Sequence, residues 1–277
     1  MLSELTWNRY GKSRVRLVKV RRDRDPHELV DLSIDVQLEG DFEAVYTDGD
    51  NRACLATDTM KNTVYALARH DPLHHVESFA LKLADHFASK LAVSRVRISA
   101  IEYRWDRITA AGRPHPHAFI QNGPEHWTTV VTRDSNGAEV ISGVEELVVL
   151  KTTDSAFSGF TRDAFTTLPD TDDRILATAV TALWRYRQGA DFSKRRLIRQ
   201  LLVETFADHQ SRSVQHTLYA MAEAVLDARP DVKEITIKMP NRHHLLVDLK
   251  PLGLDNPNEI FVATDQPYGL IEATVSR

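Results

Sequence analysis

The sequence predicts an α+β fold built from two tandem ββααββ units, each an antiparallel sheet with its helices on one face. Three observations carry this. Extended segments with period-2 alternation occur near both ends of each half of the chain. A pair of stretches with helical apolar spacing sits between them. The same order then occurs a second time after the SNG turn at Ser135 to Gly137, dividing the chain into units over 1–134 and 135–277.

The elements follow in order. Val15 to Val20 and Leu29 to Leu38 read as strands, with Leu32, Ile34, Val36 and Leu38 on one face. Met60, Val64, Leu67 and Ala68 have helical spacing, as do Val76, Phe79, Ala80, Leu83 and Phe87. Strands return with Val96, Ile98 and Ala100 and with Trp127 to Val131. In the second half, Val140 to Leu150 reads as a strand. Ile175 to Tyr186 fits a helix or a strand by composition and is assigned as a strand because it completes the repeat. Two helices carry Leu197, Ile198, Leu201 and Leu202, then Val214, Leu218, Met221 and Val225. Ile235-Ile237-Met239 and Leu245-Val247-Leu249 are expected to be the closing strands, with a strand-like LIEATV in the tail.

Hairpin-linked strands imply antiparallel sheets covered on one face. Four-stranded sheets leave open edges, which must be covered or paired. Two such units could close into a barrel with a second chain, so homo-oligomerisation is a physical expectation.

The 277 residues suffice for a sizeable core. With 42% hydrophobic and 27% charged residues the composition is that of a soluble globular protein. Net charge is −4, from 39 acidic and 35 basic residues, so no overall basic field invites nucleic acid. The single cysteine, Cys54, excludes an intrachain disulfide and a multi-cysteine zinc site and suggests a reducing compartment. No apolar run reaches membrane-spanning length, and the N-terminus MLSELTWNRYGK is not that of a signal peptide. The end VSR differs from the peroxisomal address SKL. A cytoplasmic location is expected.

Several positions depart from a purely structural pattern. In YGKSRVR, Gly11 offers backbone freedom at a strand entry, and Lys12 alone would read as a solvated lysine. In ATDTMKNT, capping by Thr57 or Asp58 would explain that pair. The run from Leu147 to Arg174 sets Phe157, Phe160 and Phe165 among Thr, Ser and Asp, and such rings must pack on core or ligand. An ion pair with Asp170, Asp172 or Asp173 would account for Arg174. In SVQHTLYAMA, Val214 and Gln215 open a helix, where free N–H groups can meet a ligand. In PNRHH, Asn241 and His243 stand at a strand entry after a proline. His115 and His117, in RPHPH, share one side of a strand but supply at most two metal ligands, and no HExxH partner exists. Pro114 and Pro116 there suggest a rigid strand entry.

Taken together, YGKSRVR, NRACLATDTMKNTVY, HPHAF, LVVLKTTDSAF with Phe160, Phe165, Leu168 and Arg174, PNRHH and the GLIEATVSR end resemble the urate oxidase (uricase) family over nearly the whole chain. The resemblance implies the tunnelling fold (T-fold), whose tandem units pair between subunits into a β-barrel, and a homotetramer with active sites at subunit interfaces. It implies oxidation of urate by O2 and water to 5-hydroxyisourate and hydrogen peroxide, with no metal and no organic cofactor. Arg174 and Gln215 resemble the pair that grips urate from two sides, Phe157 the stacking ring, and Val214 a backbone N–H donor. Asp58 resembles a backbone contact to the urate ring. Lys12, Thr57 and His243 resemble a proton relay, and Asn241, together with Thr57, the holder of O2 and later water. The lysine and threonine are implied to come from the subunit opposite the arginine and glutamine. Two rival readings are a metal-dependent purine- or pterin-handling enzyme using His115 and His117, and a purine-binding oligomer without turnover.

Overall fold

The computed structural model describes residues 3–23 and 25–277. The chain divides into two compact units, one comprising 1–143 and 185–193, the other 144–184 and 194–277.

In the first unit, strands β1 (Tyr10–Arg21) and β2 (Glu28–Gly40) form an antiparallel hairpin. A short helix α1 (Glu43–Thr47) leads to α2 (Thr57–His70) and α3 (Val76–Ala88). Strand β3 (Val93–Tyr103) follows, then a small hairpin of β4 (Asp106–Ala110) and β5 (Arg113–Ile120), then β6 (His126–Asp134). The sheet order is β1-β2-β3-β6, and each of these pairings is antiparallel. Leu32, Ile34, Val36 and Leu38 are fully buried, as the alternation predicts, and so are Phe79, Leu83 and Phe87 of α3, which packs on β3 and β6. Each such side chain contributes about 1.5–3 kcal/mol of burial.

Strand β7 (Gly137–Lys151) runs into the second unit, where β8 (Leu176–Tyr186) follows it. The assignment of Ile175 to Tyr186 as a strand therefore holds. Helices α4 (Arg195–Asp208) and α5 (Val214–Ala228) come next, then β9 (Val232–Pro240), a second small hairpin of β10 (His243–Leu246) and β11 (Phe261–Thr264), and β12 (Leu270–Ser276). The sheet order is β7-β8-β9-β12. Here the sequence reading needs a correction. The segment Leu245-Val247-Leu249 does not supply the unit's last strand: β10 pairs with β11 in a separate sheet, and the tail LIEATV, in β12, pairs with β9. Both segments alternate equally well, and only long-range pairing decides between them.

Both units thus carry ββααββ order with a small hairpin inserted before the last strand. The repeat reaches the backbone: Arg14, three residues after Gly11, and Glu146, three residues after Gly143, both adopt φ 54° within a strand. In β1 this is a bulge. Lys12 pairs with Val36 and Val15 with Ile34, so Ser13 and Arg14 together face Asp35, whose carboxylate accepts from the Arg14 N–H at 2.5 Å.

Gly11 is required by close approach, not by a special φ. A Cβ there would lie 1.9 Å from the Val36 carbonyl oxygen. We expect Gly11→Ala to push β1 off β2 and destabilise the fold by about 1–3 kcal/mol, read as a lower urea midpoint.

Asp71 closes α2. Burial pushes its carboxyl up, but the Lys82 ammonium and the Leu73 N–H, at 2.8 Å, outweigh burial and hold it below the ordinary value. A depressed folded-state pKa adds stability that is present above the unfolded value and lost as pH falls through the folded one. Asp71→Asn should therefore lower stability by about 1–2 kcal/mol at neutral pH. The two proteins should converge in urea titrations only as pH falls through the depressed folded-state value, which lies below the ordinary aspartate value of about 3.9.

Candidate active site

The bulge in β1 decides where Lys12 points. Paired residues of adjacent strands share a face, and Tyr10 and Lys12 pair with Leu38 and Val36, both fully buried. Beyond the bulge Val15 and Leu17 pair with the buried Ile34 and Leu32. The extra residue flips the alternation, so Lys12 lies on the helix-covered side together with Val15 and Leu17. The solvated-lysine reading is thus corrected: Lys12 is half-buried and makes no ion pair among the described residues.

Helix α2 packs on β1 and opens at Thr57. The capping reading of Thr57 and Asp58 does not hold. Ala56 is the N-cap, no side chain caps this end, and the first N–H groups of the helix are left for another acceptor. Thr57 is half-buried, and among the described residues its hydroxyl has no hydrogen-bond partner. The Asp58 carboxylate instead accepts from Lys61 and from Asn62 at 2.9 Å. Lys61 first, with a smaller contribution from the charge of Lys12, holds Asp58 below the ordinary carboxylate range. With the Asp58 side chain occupied in its own helix, its backbone N–H is the group left for a ligand.

The remaining sequence-derived residues lie on the second unit. Phe157 and Thr171 exchange backbone hydrogen bonds of 2.8 and 3.0 Å, closing residues 158–170 into a loop. This closure brings Arg174 to Phe157, with the guanidinium carbon 5.2 Å from the ring centroid. Phe157 stacks on Phe160 at 4.9 Å and 11°, whereas Phe165 is 89% exposed and packs on no core.

The ion-pair account of Arg174 is overturned. Asp170 is engaged by Arg162 at 3.3 Å and by the Gly159 N–H at 3.1 Å. Asp173 accepts from the Thr153 hydroxyl at 2.7 Å and from the Ser155 N–H at 3.3 Å. Arg174 has no acidic partner among the described residues, and its buried Nε has no acceptor. Burial pushes its pKa down with nothing to raise it. A partly desolvated, unpaired guanidinium is unfavourable until an anion reaches it.

Helix α5 starts beside this arginine loop. The Ala156 N–H donates to the Ser211 carbonyl at 2.8 Å and the Ser211 N–H to the Asp154 carbonyl at 2.9 Å, tying the helix entry to the Phe157 segment. Ser213 caps α5 by accepting from the His216 N–H at 3.1 Å. The N–H groups of Val214 and Gln215, in the first turn, remain available, and the Gln215 side chain is exposed. Asn241 pairs with Thr178 and donates its N–H to the Gly269 carbonyl at 2.9 Å, while its buried Oδ1 has no partner among the described residues. His243 opens β10, opposite Thr264.

Two polar groups escaped the sequence reading. The hydroxyls of Ser155 and Thr178, in the second unit, are buried without partners among the described residues, like Arg174 Nε and Asn241 Oδ1. Ser155 lies inside the TTDSAF run, which was the available signal. Thr178 lies in a strand whose composition gave none. Of these, Thr178 and Asn241 are paired across neighbouring segments, and buried polar groups left without partners suit a ligand rich in donors and acceptors.

The RPHPH stretch opens strand β5, as expected of a strand entry, and that strand belongs to the small hairpin. The rings of His115 and His117 meet edge-on at 4.6 Å, and His27 lies 5.8 Å from His117. Among the described residues no group of three or more His, Cys, Asp or Glu side chains is arranged to hold a metal ion.

The family model described as Uricase matches residues 8–132 and 140–272. The chain is 48% identical over 273 residues to the uricase of Arthrobacter globiformis, covering 98% of this chain and 89% of that one. It is 39% identical over 292 residues to uricase-2 isozyme 2 of Glycine max, covering 97% and 94%. The crystal structure of the Arthrobacter globiformis uricase superposes with a TM-score of 0.94 at 47% identity, covering 100% of this chain and 96% of that one. With a family model along most of its length and relatives of this identity, the chain belongs to the uricase family.

Proposed function

We propose that this urate oxidase converts urate, O2 and water to 5-hydroxyisourate and hydrogen peroxide without metal or organic cofactor, in the cytoplasm. We further propose that it works as a homotetramer with its active sites at subunit interfaces. The observation that carries the substrate half is the half-buried guanidinium of Arg174, unpaired among the described residues, beside the Phe157 ring. Urate is a planar anion with carbonyl acceptors and ring N–H donors. Arg174 donates a charge-assisted pair of hydrogen bonds to one edge. The Gln215 amide offers a donor and an acceptor to the other. Phe157 stacks on the purine face, and the N–H groups of Val214 and Asp58 add contacts.

Dioxygen chemistry ordinarily draws electrons from a cofactor. Here deprotonated urate is the donor: it loses two electrons, O2 gains them with two protons to become peroxide, and the oxygen of water joins the purine. The protein's part is deprotonation, orientation and charge stabilisation. Lys12, Thr57 and His243 pass the proton, with the Thr57 hydroxyl between lysine and substrate. Asn241, with Thr57, holds O2 and then water over the urate plane. The division of these groups between the two units supports a site that takes Lys12 and Thr57 from one subunit and Arg174 and Gln215 from another. The inward aim of Lys12 favours turnover over mere binding, because binding alone needs no relay. Among the described residues, no helix is long and apolar enough to cross a membrane.

The test is urate consumption by chelator-treated protein, followed by ultraviolet absorbance and coupled to peroxide detection. One peroxide per urate consumed is the expected result. Turnover that appears only after metal is restored would contradict it and make His115 and His117 the site to examine.

A further inference from the structure

Tyr10 ties together the two segments that carry Lys12 and Thr57. It sits two residues before Lys12 on the same face of β1, ahead of the bulge, where the register with β2 is regular. Its hydroxyl accepts the Leu55 N–H at 2.9 Å, and Leu55 lies two residues before Thr57. Its ring meets Phe42, itself fully buried, edge-on at 4.8 Å and 88°. Burial first, with the neighbouring Cys54 thiol adding to it, pushes the phenol up to about 12, so it stays neutral. The Leu55 N–H precedes an N-cap, Ala56, that offers no side-chain hydrogen bond of its own. The turn into α2 therefore lacks a local device that would fix where the helix begins. The strand supplies that device from outside.

We propose that Tyr10 is a positioning residue for the proton-moving pair: by holding the Leu55 N–H it sets the start of α2, and with it the Thr57 hydroxyl, against Lys12. This rests on reading Lys12 and Thr57 as that pair. Tyr10 touches neither substrate nor reacting atoms in this account. It acts only through the spacing of the other two.

The experiment is Tyr10→Phe, measured alone and in a Lys12→Ala background. Tyr10→Phe removes the hydroxyl and keeps the ring against Phe42. The loss of one hydrogen bond, about 1 kcal/mol, corresponds to a fall in kcat of about fivefold. KM and the affinity for a non-reactive purine analogue should stay within about twofold, because the gripping groups are elsewhere. In the Lys12→Ala background Tyr10→Phe should have no further effect on residual turnover, since the pair it positions is already broken. An unchanged kcat in Tyr10→Phe overturns the proposal. A loss that persists undiminished in the Lys12→Ala background also overturns it, because that is the mark of a general structural role. Full turnover in Lys12→Ala alone defeats the relay reading and this proposal with it. A normal loss in Lys12→Ala beside an unaffected Tyr10→Phe defeats only this one.

Discussion

Arg174→Ala should weaken urate binding by about 2–5 kcal/mol, a rise in KM on the order of thirtyfold to several thousandfold. The magnitude follows from the environment. The guanidinium is already partly desolvated, its Nε buried, and no acidic side chain among the described residues competes for it. Its charge is therefore available in full to an anionic substrate. Arg174→Lys should recover part of the binding: it keeps the charge and loses the planar fork that meets two acceptors at once. The same environment predicts an unusual companion result. Removing an unpaired, half-buried charge relieves part of a desolvation penalty, so Arg174→Ala should melt no lower than the parent protein. A variant that loses substrate affinity without losing stability is the signature of a residue kept for binding. Steady-state kinetics and a melting curve check both halves. An unchanged KM, or a large loss of thermal stability, contradicts this role.

Lys12→Ala should do the opposite to the kinetic constants. A positioned acid–base group contributes roughly a hundred- to ten-thousandfold, so kcat should fall by that order. The affinity for a non-reactive purine analogue should hardly change, because Lys12 is assigned to proton movement and not to grip. Comparable losses in KM and in kcat would place Lys12 among the binding groups instead. Unchanged turnover would remove the relay altogether.

Much of the fold was legible because the periodicities were clean. Leu32 to Leu38 alternates without interruption and is fully buried in the structure. Val214, Leu218, Met221 and Val225 keep helical spacing and form the buried stripe of α5. The failures share one cause. HLLVDL and LIEATV both look like strands, and nothing local says which of them joins β9. The strand at RPHPH was legible, but nothing local said that Asp106–Ala110 would pair with it in a separate hairpin.

The site divided differently. Its residue types could be found by motif, but their state could not. Arg174 stands among three aspartates in sequence and looks paired. In the structure, Thr153, Ser155, Gly159 and Arg162 occupy Asp170 and Asp173. Thr57 looks like a cap, yet Ala56 holds that position. Lys12 looks solvated, and only the bulge at Ser13 and Arg14 turns it toward the helices. In each case the sequence offered an innocent local partner, and the folded chain gave that partner to something else. The freedom of Arg174, Thr57 and Lys12 is a product of tertiary structure, which is why local reading understated it.

The central claim is a division of labour: one set of residues grips urate, the other moves its proton, and each site draws the two sets from different chains. Co-expression of differently tagged Lys12→Ala and Arg174→Ala chains, followed by purification through both tags, tests this most directly. Each parent variant alone should be nearly inactive. In the hybrid, a site that takes Lys12 from one chain and Arg174 from the other is intact, and random assembly makes about a quarter of the sites so. Recovery of turnover with peroxide formation at that level is the predicted result. Hybrids as inactive as their parents would contradict it and place both sets of residues within a single chain's own site.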